Sequence, residues 1–229
     1  MINKIMAAAL GAVGLFGISA ADAAPVSFSS NGSFSNISGC GSAGFFTPCD
    51  IRNNGNLLDM SGSNNSTLTA NDFSSGSVNT NANDVTIGQI TWVNNASGVP
   101  FSTDQNFSVN YILTLTFSQP NVDVASQTFN LNVQQPTNPP GDAVNGFLIA
   151  GLPSTFNLAG VTVSDFRFIE SGPGNFNNGL WTNPEGGTST LRLTADFTAV
   201  PEPASLSLFG AGLLGFAAMQ RRRQQRKAV

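Results

Sequence analysis

The chain has 229 residues, 41% of them hydrophobic and only 10% charged, with a formal net charge of −4, which is enough for one domain with a real core and a squeeze for two. Charged residues fall well below the usual share of about 25%. Asn, Ser, Thr and Gly supply the polarity instead, which suits strands and turns and argues against an all-α fold. Histidine is absent, so Ser-His and Cys-His nucleophile pairs, the HExxH zinc site and every other imidazole-based site are excluded. Between residues 24 and 199 eleven acids face three arginines, Arg52, Arg167 and Arg192, and no lysine, so this stretch carries a charge of −8. Neutralising phosphates needs a basic surface, and nucleic acid is not an expected partner.

The chain opens as a secretory signal peptide over residues 1–23. Lys4 precedes an apolar stretch, Ile5 to Ile18, and the small-residue run Ser19 to Ala24 follows; cleavage after Ala23 satisfies the A-x-A rule. The alternative, a retained membrane anchor, is disfavoured because the stretch is short and rich in Ala and Gly. Cys40 and Cys49 are the only cysteines, and in an oxidising compartment they are expected to form a disulfide that closes a short loop. A metal site at these cysteines would need at least two more soft or imidazole ligands, so no metal and no cofactor is expected there.

Residues 59–84 contain few large apolar side chains beyond Met60, Leu68, Phe73 and Val78, which predicts a long irregular segment with one or two edge strands beginning from Val26-Ser27-Phe28. From Phe107 the pattern sharpens. Phe107, Val109, Tyr111, Leu113, Leu115 and Phe117 share one face, with Ser108, Asn110, Ile112, Thr114 and Thr116 on the other, the period of a half-buried strand. Residues 128–133 repeat it after the turn residues Gln119-Pro120-Asn121, as do Leu191, Leu193, Ala195 and Phe197 near the end. Further strands are expected at Val85 to Val93, Gly146 to Ala150, Thr155 to Leu158 and Val161 to Ile169. In the last of these the apolar phase shifts, predicting a bulge near Ser164-Asp165. Short strands separated by Gly, Pro and Asn clusters make the fold all-β, a single β-sandwich or jelly roll, with a barrel as the alternative.

Candidate chemistry is thin. Glu170 and Glu185 are the only glutamates in the domain, and a glycosidase needs two carboxylates at a defined separation; Asp165 and Glu170 are the pair that could meet, and a loop-surface role outweighs catalysis for them. Flat aromatic faces for sugar rings could come from Trp92, Tyr111 or Trp181. Tyr111 lies on an apolar strand face and reads as core, whereas Trp181 sits in the loop Phe176 to Pro184 and is the candidate for ligand binding. Asn79 to Asp84 offers hard oxygen ligands for calcium, but one carboxylate and no complete loop motif make turn formation the better explanation.

The C-terminal segment, 200–229, has three parts. Pro201-Glu202-Pro203 ends the preceding strand, Ala204 to Met219 is uncharged, and a basic tail follows in Arg221, Arg222, Arg223, Arg226 and Lys227. An apolar helix over 204–219 would reach about 24 Å, short of a bilayer core near 30 Å, so it needs snorkelling cations or local thinning to span. The cations belong on the cytoplasmic side, which predicts an exported domain held in the inner membrane by a transmembrane helix at its C-terminus. A buried core helix with a basic end is the alternative.

This tripartite end resembles the PEP-CTERM sorting signal of exported bacterial proteins. The resemblance implies processing by an exosortase, a membrane-embedded cysteine transpeptidase that cuts near Pro201-Glu202-Pro203 and passes the protein to the cell surface, with the catalytic groups in the partner. It further implies a Gram-negative-type envelope and an association with exopolysaccharide and biofilm matrix. Ile87 to Phe117 and the turn Asn138-Pro139-Pro140-Gly141-Asp142 look like the choice-of-anchor β domains found upstream of such signals. The expected protein is therefore a non-catalytic, surface-sorted β domain, 24–199, in matrix or adhesion. Its partners are the exosortase, the inner membrane during sorting, and exopolysaccharide. A carbohydrate-binding module and a polysaccharide-degrading enzyme remain as alternatives.

Overall fold

In the computed structural model every named strand pairs antiparallel with its neighbours, and the strands assemble into two sheets. The structure describes residues 25–40, 49–60, 66–95, 105–135, 141–148, 158, 161–200 and, near the C-terminus, 210, 212, 213, 215 and 216. The strands are β1 (Val26–Ser38), β2 (Asp50–Arg52), β3 (Leu57–Asp59), β4 (Thr67–Asn71), β5 (Phe73–Val78), β6 (Ala82–Val93), β7 (Gln105–Gln119), β8 (Asp123–Gln135), β9 (Asp142–Asn145), β10 (Val161–Ser171), β11 (Asn175–Asn177), β12 (Leu180–Asn183) and β13 (Thr188–Ala199). The seven-stranded sheet has the order β11-β12-β9-β8-β7-β1-β5, and the six-stranded sheet β10-β13-β6-β4-β3-β2.

The three strongest alternating segments form the frame. All six inward residues of β7, from Phe107 to Phe117, are buried, as are Phe129, Leu131 and Val133 of β8 and Leu191, Leu193, Ala195 and Phe197 of β13. Successive side chains of a strand point to opposite faces, so this alternation commits one face of each sheet to the core. Aromatic rings cross between the sheets. Phe28 of β1 lies 5.8 Å from Phe197 of β13, Phe129 of β8 lies 5.8 Å from Phe168 of β10, and Trp92 of β6 meets Trp181 of β12 edge-on at 5.1 Å. These contacts join the two inner faces into one core, the arrangement of a β-sandwich.

Several expectations change. The described residues of 59–84, all but 61–65, are not irregular: they hold the end of β3, all of β4 and β5 and the start of β6, with Leu68 and Ala70 pointing inward. The strand expected to start from Val26 does so and runs thirteen residues, but it is not an edge strand: it lies between β7 and β5. Two of its inward positions carry Ser30 and Gly32, both buried, so its apolar alternation is muted in the sequence. Gly32 is required there because a Cβ would come within 2.8 Å of the Tyr111 hydroxyl and 2.9 Å of the Ala70 Cβ. Of the strand expected at 146–150, residues 149 and 150 lie outside the described residues, and 146–148 are not in a strand: β9 precedes them and ends at Asn145. Gly146 takes a φ of 119°, a conformation that ends the extended run, and Phe147 turns into the core. Of the strand expected at 155–158, only Leu158 lies within the described residues, bridged to Val161. The bulge in β10 is where the phase shift placed it, with the register slipping between Ser164 and Arg167 and Asp165 at a φ of 53°.

Candidate functional site

The sorting motif follows directly from β13. That strand is held on both sides, by β10 and β6, and its last residue, Ala199, donates its backbone N–H to Asn81 Oδ1. Val200 is the first exposed residue beyond it. The tail therefore leaves the domain from a strand anchored within a sheet. Pro201, Glu202, Pro203, the basic residues Arg221, Arg222, Arg223, Arg226 and Lys227, and residues 1–23, where a signal peptide is expected, lie outside the described residues. Within 204–219 the described residues Gly210, Gly212, Leu213, Gly215 and Phe216 are helical and exposed. Among the described residues no helix is long and apolar enough to cross a membrane.

Cys40 and Cys49 form the expected disulfide, with Cα atoms 5.8 Å apart, inside the usual range for a bridge. Both pack against the core, so the bridge ties the chain between β1 and β2 to the sandwich.

Trp181 does not present its ring to solvent. It lies in β12 rather than a loop and is fully buried, between Trp92 and Phe147 at 5.1 and 5.9 Å. Its Nε1–H donates to Ser189 Oγ at 3.0 Å, and Ser189 Oγ–H donates in turn to Glu170 Oε1 at 2.6 Å. The indole thus has both its apolar face and its polar edge satisfied inside the protein. Tyr111 is core as its strand phase predicted, and burial pushes its hydroxyl pKa well above the ordinary value.

The acid pair singled out from the sequence is divided between partners. Glu170 accepts from Ser189, whereas Asp165, exposed at the β10 bulge, pairs with Arg167. Arg167 also binds Asp84 and lies 3.6 Å from Asp196, so three carboxylates gather around one guanidinium and pin the bulge to the start of β6. Asn81 and Asp84 of the 79–84 segment adopt positive φ values of 71° and 56°. Their polar atoms are used in the turn: the Asn81 N–H donates to the Phe197 carbonyl, and the Asp84 N–H donates to Asp196 Oδ1.

A different pair of acids meets at one end of the sandwich. Asp142 opens β9 opposite Asn183 of β12 and is 3% exposed. The turn after β12, which carries Glu185, is pinned from inside. Asn183 Nδ2 donates to the Trp92 and Gly187 carbonyls at 3.2 and 3.1 Å, and Asn94 Nδ2 donates to the Asn183 carbonyl at 2.8 Å. Burial, and then the charge of Glu185, push the Asp142 carboxyl up from 3.8 to about 7, opposed by a hydrogen bond from Gln135 Nε2. Sequence reading placed Asp142 in a turn. The missed signal is the alternation Asp142-Ala143-Val144, which puts the acid on the same face as a buried valine.

A family model described as the PEP-CTERM protein-sorting motif matches residues 199–223. No curated protein and no solved structure matches the chain.

Proposed function

Starting from a chain whose residues 199–223 are a PEP-CTERM protein-sorting motif, and hence an exported, membrane-held precursor processed by an exosortase, we propose that the β domain is a non-catalytic component of the extracellular or biofilm matrix. The sorting motif carries this reading, because it assigns the cutting chemistry to the partner and leaves this chain as substrate and then as displayed product. Two features of the domain support it. The carboxylates that sequence considered for catalysis are occupied by structural partners, Glu170 by Ser189 and Asp165 by Arg167. Asp142, whose carboxyl is pushed up to about 7 chiefly by burial, is only 3% exposed, which supports a structural place for it.

Binding of exopolysaccharide is the second reading, favoured by a polar outer face described below. The test of sorting is direct. Replacing Pro201, Glu202 and Pro203 with alanine leaves the unprocessed chain in the inner membrane, read by fractionation and by mass spectrometry of the C-terminus. Undiminished release of a trimmed chain to the surface refutes the reading.

A further inference from the structure

The two outer faces of the sandwich differ in charge. The six-stranded sheet contains all three arginines of the domain, Arg52, Arg167 and Arg192, two of them paired with carboxylates. The seven-stranded sheet contains only two charged residues, Asp123 and Asp142, each the first residue of its strand and each on the inward phase. Its outward positions along β1, β7, β8 and β9 are instead Ser, Thr, Asn and Gln with few exceptions.

This neutral face is organised into rows. Ser38 pairs with Ser108, Ser108 with Asn132, and Asn132 with Asn145, so one hydroxyl or amide stands on each of four neighbouring strands. Asn106 opposite Gln134 forms the next row. These six residues line a shallow groove of about 430 Å³. Ser108 Oγ–H donates to the Ser38 carbonyl, while among the described residues the amides of Asn106, Asn132, Gln134 and Asn145 make no side-chain hydrogen bond. Neighbouring strands lie about 4.8 Å apart, close to the length of one pyranose unit, so a chain running across the strands meets one polar group per sugar.

We propose that this groove binds an uncharged polysaccharide, laid across β1, β7, β8 and β9 and held by amide and hydroxyl hydrogen bonds. The inference rests on the reading of the domain as a displayed matrix component and names its ligand class. The absence of charge selects the occupant. A polyanion gains nothing from a face without cations on a domain of net charge −8, and an apolar partner would strand four amides without hydrogen bonds. Sugar hydroxyls both donate and accept, as do the Asn and Gln side chains they would meet.

The test is native affinity electrophoresis of the full chain in detergent, through gels containing laminarin, dextran or hydroxyethyl cellulose as neutral probes and alginate as the anionic one. At least one neutral glucan slows the protein, and the effect survives 1 M NaCl, where charge is screened beyond about 3 Å. Asn132→Ala/Asn145→Ala weakens the retardation about tenfold or more, since each lost hydrogen bond is left uncompensated. Thr69→Ala/Thr190→Ala, on the six-stranded sheet, leaves it unchanged. Both double variants melt close to the parent: Asn132 and Asn145 are exposed, and Thr69 and Thr190, half-buried on the outer face of their sheet, lose only a small polar group. Retardation by none of the neutral glucans, retardation only by alginate or only at low salt, or equal binding by the groove variant overturns the proposal. Localisation of the groove variant is read in parallel. Correct sorting without glucan binding defeats the groove alone, whereas failure of the sorting reading appears in the Pro-Glu-Pro variant whatever the glucan result.

Discussion

Asp142→Asn gives the sharpest test of the buried acid. The carboxyl titrates at about 7 in the folded protein against an ordinary 3.8. Below 3.8 it is protonated in both states and costs nothing. As pH rises from about 4 to 7 the unfolded chain releases this proton and the folded one keeps it, so stability falls; above 7 the full penalty of a buried charge beside Glu185 is present. At about 1.4 kcal/mol per tenfold, the ceiling on this penalty is on the order of 4 kcal/mol. The amide of Asn keeps an oxygen for Gln135 Nε2, which now donates to Asp142 Oδ2, and carries no charge. The assay is urea unfolding at pH 4.5 and pH 8, followed by tryptophan emission, since Trp92 and Trp181 are both buried and 5.1 Å apart. The variant exceeds the parent by about 1 kcal/mol or less at pH 4.5, where the unfolded chain has begun to release this proton, and by at least about 1 kcal/mol more than that at pH 8, within the ceiling of about 4. Carboxylates other than Glu185, whose charge acts on Asp142, are common to both proteins and cancel in the difference. Glu185→Gln recovers the smaller share, because burial is the larger cause. An Asp142→Asn difference that is the same at both pH values would falsify the argument.

Two predictions concern packing. Trp181→Ala costs about 3–5 kcal/mol, the range for emptying a large buried aromatic site, whereas Trp181→Phe, which keeps most of the volume but leaves Ser189 without its indole donor, costs less. Denaturant midpoints measure both, and a loss below about 1 kcal/mol for the alanine variant would return Trp181 to the surface. Gly32→Ala places a Cβ 2.8 Å from the Tyr111 hydroxyl and destabilises by about 1–3 kcal/mol through overpacking. Its partner Tyr111→Phe removes the clashing oxygen, so the double variant regains part of the loss; no coupling between them would show that the contact is not the cause.

The charge asymmetry between the faces has a structural consequence apart from binding. A water-facing sheet without Lys or Glu lacks the usual defence against edge-to-edge pairing. The six-stranded sheet retains it: its edge strand β10 carries the bulge at Ser164 to Arg167 and the Arg167 carboxylate cluster, which twists and charges that edge. On the seven-stranded sheet the edge strands β5 and β11 are only six and three residues long, and short edges offer little template.

What the sequence determined by itself is local. The alternation of β7, β8 and β13 could be read because large apolar side chains recur at every second position, and the sorting tail because its three parts are contiguous. The bulge in β10 was legible as a slip of phase within a single segment. β1 was legible only at its start, since Ser30 and Gly32 occupy inward positions that large residues mark elsewhere. β4 and β5 were hidden for a related reason: their few large side chains, Leu68, Phe73 and Val78, are too sparse to show a period. Tertiary structure decided everything that depends on a distant neighbour. Trp181 is core because β12 pairs with β9 and faces Trp92 of the opposite sheet. The Asp142 carboxyl is pushed up because that same pairing buries it, with the charge of Glu185 adding the smaller share. The row from Ser38 to Asn145 exists because strands far apart in the chain are brought into register. Period and composition reveal which face of a strand is wet; only the assembled sheets reveal what the wet and dry faces meet.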